Sequence, residues 1–180
     1  VRIDVSTHEQ GFSYSRKSPD EETEMLLLSK DASLLINPVE PLNKPKEITR
    51  YLLIELAAPV QVEPGGRYKI YVTFPVASGV FIERRGNYDI IDIFTCARQK
   101  YTLYGEPQNG IVCRYWKSAV HISRPDADMY REGIMELTVK NATDKWVTVS
   151  RALFHATGMK IFYGADMVSM KAHMKVSGPR

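Results

Sequence analysis

Eight residues between positions 98 and 117 have side chains suited to holding a ligand or a partner: Arg98, Lys100, Tyr101, Tyr104, Arg114, Tyr115, Trp116 and Lys117. Cations interleaved with aromatic rings can stack flat groups while neutralising negative charge. In an extended strand, successive side chains point to opposite faces. Over 111–118 this puts Arg114 and Trp116 with Val112 and Ser118, and Tyr115 and Lys117 with Cys113. The eight therefore form an expected binding surface divided between two faces. The plainer account is strand aromatics with cations snorkelling along them.

Metal and catalytic chemistry find less support. The available soft or imidazole ligands are Cys96, Cys113, His8, His121, His155 and His173, and none shows the short spacings of structural zinc sites. No metal and no other cofactor is expected, although His155 and His173 could meet across adjacent strands. The chain has no Gly-x-Ser-x-Gly, no Walker loop, no His-Glu-x-x-His and no Gly-x-Gly-x-x-Gly after a strand. Asp89 and Asp92 lie three apart in an extended run, which predicts opposite faces. Asp126 and Asp128 share a parity near a turn, where acids usually cap or solvate. No catalytic residue is assigned.

Elements that would position these groups show period two. Leu52, Ile54, Leu56, Ala58, Val60 and Val62 alternate along one run, and Tyr68, Ile70, Val72 and Phe74 along the next, opposite Arg67, Lys69, Tyr71 and Thr73. Glu63-Pro64-Gly65-Gly66 between them predicts a hairpin, with 51–62 and 67–74 paired antiparallel. Met135, Leu137 and Val139 alternate before a turn at Asn141-Ala142-Thr143-Asp144, which also fits a glycosylation acceptor and is read here as a turn. The run 145–163 does not hold one phase, so a bulge is expected near Arg151. Val168, Met170, Ala172, Met174 and Val176 give the last strand an apolar face, and Lys171, His173 and Lys175 a cationic one. Residues 37–47, with prolines at 38, 41 and 45, predict an extended crossover presenting Glu40, Lys44 and Lys46. About a dozen short strands with turn signals between them predict an all-β fold, an antiparallel β-sandwich or jelly roll forming one domain over 1–180.

Composition narrows the classes further. Apolar residues make up 44% and charged residues 25% of the 180, with a net charge of +3. A surplus that small argues against nucleic acid as the partner. No apolar run nears the roughly 20 residues of a membrane helix. The N-terminus shows no charged stretch leading into an apolar core. Cys96 and Cys113 both sit in apolar surroundings, which predicts reduced thiols and a cytoplasmic protein, with pairing between them left open.

The stretches 34–45 (LLINPVEPLNKP), 92–95 (DIFT), 98–105 (RQKYTLYG) and 113–118 (CRYWKS) together resemble an archaeal family known as domain of unknown function 432. The resemblance runs from about Ser13 to Val176. It implies an archaeal, intracellular, single-domain protein and carries no functional residue with it.

The expected function is that of a non-catalytic binding or assembly module working through protein–protein contacts, self-association included. One alternative is a small-ligand or carbohydrate-binding jelly roll with Tyr101, Tyr104, Tyr115 and Trp116 as its stacking wall. The other is an enzyme or metal protein whose site is assembled across strands.

Overall fold

The computed structural model of the chain describes residues 1–19, 21–41 and 48–178. Its strands, in chain order, are β1 (Arg2–His8), β2 (Gly11–Lys17), β3 (Glu22–Leu28), β4 (Ser33–Val39), β5 (Tyr51–Val62), β6 (Arg67–Pro75) and β7 (Ala77–Arg84). They continue with β8 (Asn87–Phe94), β9 (Tyr101–Tyr104), β10 (Ile111–Ser118), β11 (Glu132–Asn141), β12 (Val147–His155), β13 (Phe162–Tyr163) and β14 (Val168–Val176). A 3-10 turn at Ala156–Gly158 is the helical piece among the described residues. The all-β expectation holds. Of the crossover segment, Lys44 and Lys46 lie outside the described residues; Pro38 lies on β4, an edge strand, where proline is tolerated.

Four sheets result, ordered β1-β2-β3, β4-β7-β8, β12-β5-β10-β9 and β13-β14-β11-β6. Their pairings are antiparallel apart from β5 with β10 and β11 with β14. The last two sheets enclose the main core. From one come Leu52, Ile54, Leu56, Val62, Val149 and Ala152; from the other Ile70, Val72, Phe74, Met135, Leu137, Val139, Val168 and Met170. These are the apolar parities of the sequence, turned toward each other.

The expected hairpin between β5 and β6 is corrected. The turn is present, with the Gly66 N–H donating to the Glu63 carbonyl at 3.1 Å and Gly65 at φ +68°. The strands it joins nevertheless enter different sheets: β5 lies between β10 and β12, and β6 pairs with β11. Both strands have a strong apolar face. Side by side they would leave both faces in need of a cover; across a corner each covers the other.

A second corner, between β11 and β12, is tied to the first by Asn141, which is 0% exposed. Its backbone N–H donates to the Gly66 carbonyl at 2.9 Å. Its Nδ2 donates to the carbonyls of Val62, Glu63 and Lys145 at 3.1, 2.9 and 2.7 Å. Its Oδ1 accepts from the Thr143 N–H and hydroxyl at 2.9 and 2.8 Å. The turn reading of this tripeptide holds, and the side chain's polar atoms are occupied within the fold.

The expected bulge is found where the β12–β5 register shifts between Val149 and Arg151. On β11, Gly133 pairs with Phe74, a buried residue, and a Cβ added there would come within 2.4 Å of the ring. Gly133→Ala is therefore expected to cost about 1–3 kcal/mol by overpacking. Urea denaturation checks this, and an unchanged midpoint would show that the ring can move aside.

Candidate functional site

The eight residues singled out from the sequence do not share one face. Arg98 and Lys100 are exposed in the segment before β9. Tyr101 and Tyr104 are exposed on β9, an edge strand, opposite Arg114 and Ile111 of β10. Arg114 and Trp116 turn inward, in register with the core residues Leu52 and Ile54 of β5. Trp116 packs against the core, and its Nε1 donates to Thr73 Oγ1 at 3.1 Å. Tyr115 and Lys117 take the other face; the Tyr115 N–H donates to the Lys100 carbonyl at 2.7 Å. Strand alternation decides this division, so a continuous aromatic wall does not form.

What the fold does assemble is a cationic face on the outer side of β6, β11 and β14. In one cross-strand row stand Arg67, Lys140 and Lys175; in the next Lys69, Thr138 and His173; in the third Tyr71, Glu136 and Lys171. The next row, Thr73, Ile134 and Ser169, extends to Phe162 of β13. Arg67, Lys69, Lys140, Lys171, His173 and Lys175 are all exposed, and Phe162 is 67% exposed at the edge. Neighbouring strands lie about 4.8 Å apart and same-face residues about 6.8 Å apart along a strand, so the positive charges form a regular lattice.

One acid interrupts that lattice. The Lys69 ammonium lies 3.1 Å from Glu136 Oε1 and holds its carboxyl below the usual range, with Lys171 adding charge. Asp126 and Asp166 lie with Arg124 around a separate shallow pocket at the Ile134 end. Each strand's cations are visible in the sequence on the parity opposite its apolar residues. That the three strands are neighbours is not visible there, because β14 pairs parallel with β11 from a distant part of the chain.

A second missed cluster is buried. Arg16, 2% exposed, bonds Asp92 through Nε at 2.6 Å and Nη2 at 3.3 Å, and Nη2 also reaches Glu21 and Thr23 at 3.0 Å each. The Tyr14 hydroxyl donates to the same carboxylate at 2.7 Å. This network fastens the β1-β2-β3 sheet to β8. The predicted opposite facing of Asp89 and Asp92 is also corrected. A register shift between Val80 and Phe81 pairs Asp89 with Ile82 and Asp92 with Val80, which share a face of β7. The extra residue, Ile91, inverts the parity.

Cys96 is exposed, Cys113 is buried, and both are free thiols. His155 lies edge-on to Tyr51 in one sheet and His173 stands on the outer face of another, so the two do not meet. Among the described residues no group of three His, Cys, Asp or Glu side chains is placed to hold a metal ion. No described helix is long and apolar enough to cross a membrane.

No curated protein and no solved structure matches the chain significantly. A family model described as protein of unknown function (DUF432) matches residues 1–180, the full sequence, and the chain belongs to that family.

Proposed function

We propose that residues 1–180 act as one non-catalytic binding module whose cationic outer face on β6, β11 and β14 docks an acidic protein surface. The observation that carries this reading is the row Arg67–Lys140–Lys175 with Lys69, Lys171 and His173 beside it, drawn from three strands onto one face. Five Lys and Arg side chains against Glu136 give that face a surplus of four positive charges, more than the +3 of the whole chain. Charge so concentrated steers and orients an oppositely charged partner.

Three features favour a polypeptide over a nucleic acid. Four of the five full cations are lysines, point charges without the guanidinium fork that reads phosphate bidentately. The exposed Phe162 is at the edge, and the one aromatic within the rows, Tyr71, is half-buried with its hydroxyl bonded to Glu136, so bases laid over the lysines meet little stacking surface. Glu136, on the middle strand in the last of the three charged rows, suits a partner of mixed charge better than a uniform polyphosphate. Self-association through this face is opposed by like charge. The free thiols fit the reducing cytoplasm.

The test is fluorescence anisotropy with labelled poly-L-glutamate and with single-stranded oligonucleotides of matched charge, at low and physiological ionic strength. The wild type is expected to bind poly-L-glutamate more tightly, with affinity falling as salt rises. Lys140→Glu/Lys175→Glu is expected to weaken that binding at least ~10-fold without shifting the thermal midpoint. Equal binding by the double variant, or tighter binding of the oligonucleotide, overturns the proposal.

A further inference from the structure

The chain shields two arginine side chains from solvent almost equally and treats them differently. Arg16 is 2% exposed and Arg114 is 1% exposed. Arg16 has acceptors on Asp92, Glu21 and Thr23, and the Phe94 ring lies 5.6 Å from its guanidinium carbon. Arg114 differs: neither of its terminal nitrogens has a hydrogen-bond partner among the described residues. A buried cation without a counter-charge is one of the costliest arrangements a fold can hold. Arg16 shows what this same protein supplies when the pairing is internal.

We infer that Arg114 is the anchor of an internal site for a small carboxylate ligand. Its position suits that role. Arg114 stands on β10 between Leu52 of β5 and Tyr101 of the edge strand β9. On its own strand, the residues two positions away on the same face are Val112 and Trp116. No acidic side chain is among these flanking groups; burial pushes the guanidinium below its ordinary range, with Tyr101 acting in the opposite sense. One strand of four residues, β9, separates it from the sheet's open edge, and Tyr101, Leu103 and Tyr104 there are exposed. Two unpaired terminal nitrogens on a planar guanidinium match the two oxygens of a carboxylate, which would accept a hydrogen bond from each. The flanking aliphatic and aromatic side chains suit an organic body behind that carboxylate better than the hydration shell of an inorganic anion.

The experiment is thermal unfolding of the full chain and of Arg114→Met in low-anion buffer, titrated separately with acetate and with inorganic phosphate. The wild type is expected to gain stability saturably with acetate, by about 5 °C or more at a hundredfold excess over the dissociation constant. Arg114→Met is expected to show no such gain and, without added anion, to unfold at or above the wild-type temperature. Three results overturn the inference. The variant is less stable than wild type in low-anion buffer, which means that the protein itself satisfies the guanidinium. Acetate shifts both chains equally or shifts neither. Phosphate gives the larger saturable gain, which rejects a carboxylate. Should Arg114→Met fail to fold, the side-chain Nε–H resonance of Arg114 in the wild type decides: a saturable shift with acetate supports the site, and none overturns it.

Discussion

Asp92→Ala is expected to destabilise the protein by about 3–5 kcal/mol, because it strips a buried arginine of its counter-charge. Asp92 accepts from Arg16 Nε at 2.6 Å and from the Tyr14 hydroxyl at 2.7 Å, with its side chain 10% exposed. Glu21, the other acid bonded to Arg16, is largely exposed, so it cannot take over in the dry side of the site. The loss should appear first in β1, β2 and β3, the sheet that this network fastens to β8. Amide exchange there is expected to accelerate before the main core loosens. Urea denaturation at neutral pH gives the total, and a change under about 1 kcal/mol would show that Arg16 finds water or another acceptor.

The same network sets a pH dependence with two arms. Burial alone would raise the Asp92 carboxyl, but the bonds from Arg16 and Tyr14 and the charge of Arg16 hold it below the usual range. A folded value below the unfolded one means that this stabilisation is complete above the ordinary aspartate value near ~4 and is lost as pH falls through the lower, folded value. Tyr14 works in the opposite sense. Burial first, then its bond to Asp92, pushes its hydroxyl well above the usual tyrosine range. Its contribution is complete below about pH 10 and is lost as pH rises beyond that. Asp92→Asn is expected to flatten the acid arm; an unchanged acid midpoint in that variant would assign acid unfolding to other carboxylates.

Asn141→Ala should cost about 3 kcal/mol, the next largest loss. The two N–H groups of one amide are shared among three carbonyls from two corners, and its oxygen accepts two bonds from Thr143. Alanine leaves those carbonyls without their donor, and that of Val62 lies buried. Asn141→Asp keeps the shape but turns the donor into an acceptor facing carbonyl oxygens, so at neutral pH it should be at least as damaging. Calorimetry is the check, with a midpoint lower by about 6–12 °C for Asn141→Ala. A drop of only a degree or two would mean that the corners are held by their backbone bonds alone, such as the Asn141 N–H to Gly66.

Much of this was open to a reading of the residues in order. Alternation located β5, β6, β11 and β14 and their apolar faces, because the pleat sends every second side chain the same way whatever the strand's partner. The phase break near Arg151 announced the bulge, and Glu63-Pro64-Gly65-Gly66 announced a reversal of the chain. The strand β1 escaped notice, since its seven residues give little apolar signal and remain mostly exposed.

The amino-acid order alone thus determined that the chain is all-β, where most strands run and which of their faces are apolar. Tertiary structure alone decided who pairs with whom. A tight turn is compatible with a hairpin or with a corner between two sheets, and burying two apolar faces against each other chose the corner for β5 and β6. One extra residue at Ile91 brought Asp89 and Asp92 to one face, and contact between positions 76 apart made Asp92 the partner of Arg16. Arg114 and Trp116 looked like surface groups until the pairing with β5 turned them inward. The cationic face exists only because β6, β11 and β14 lie side by side. Pleat and turn chemistry are local and can be read in sequence; pairing is settled by the burial of surface contributed from the whole chain.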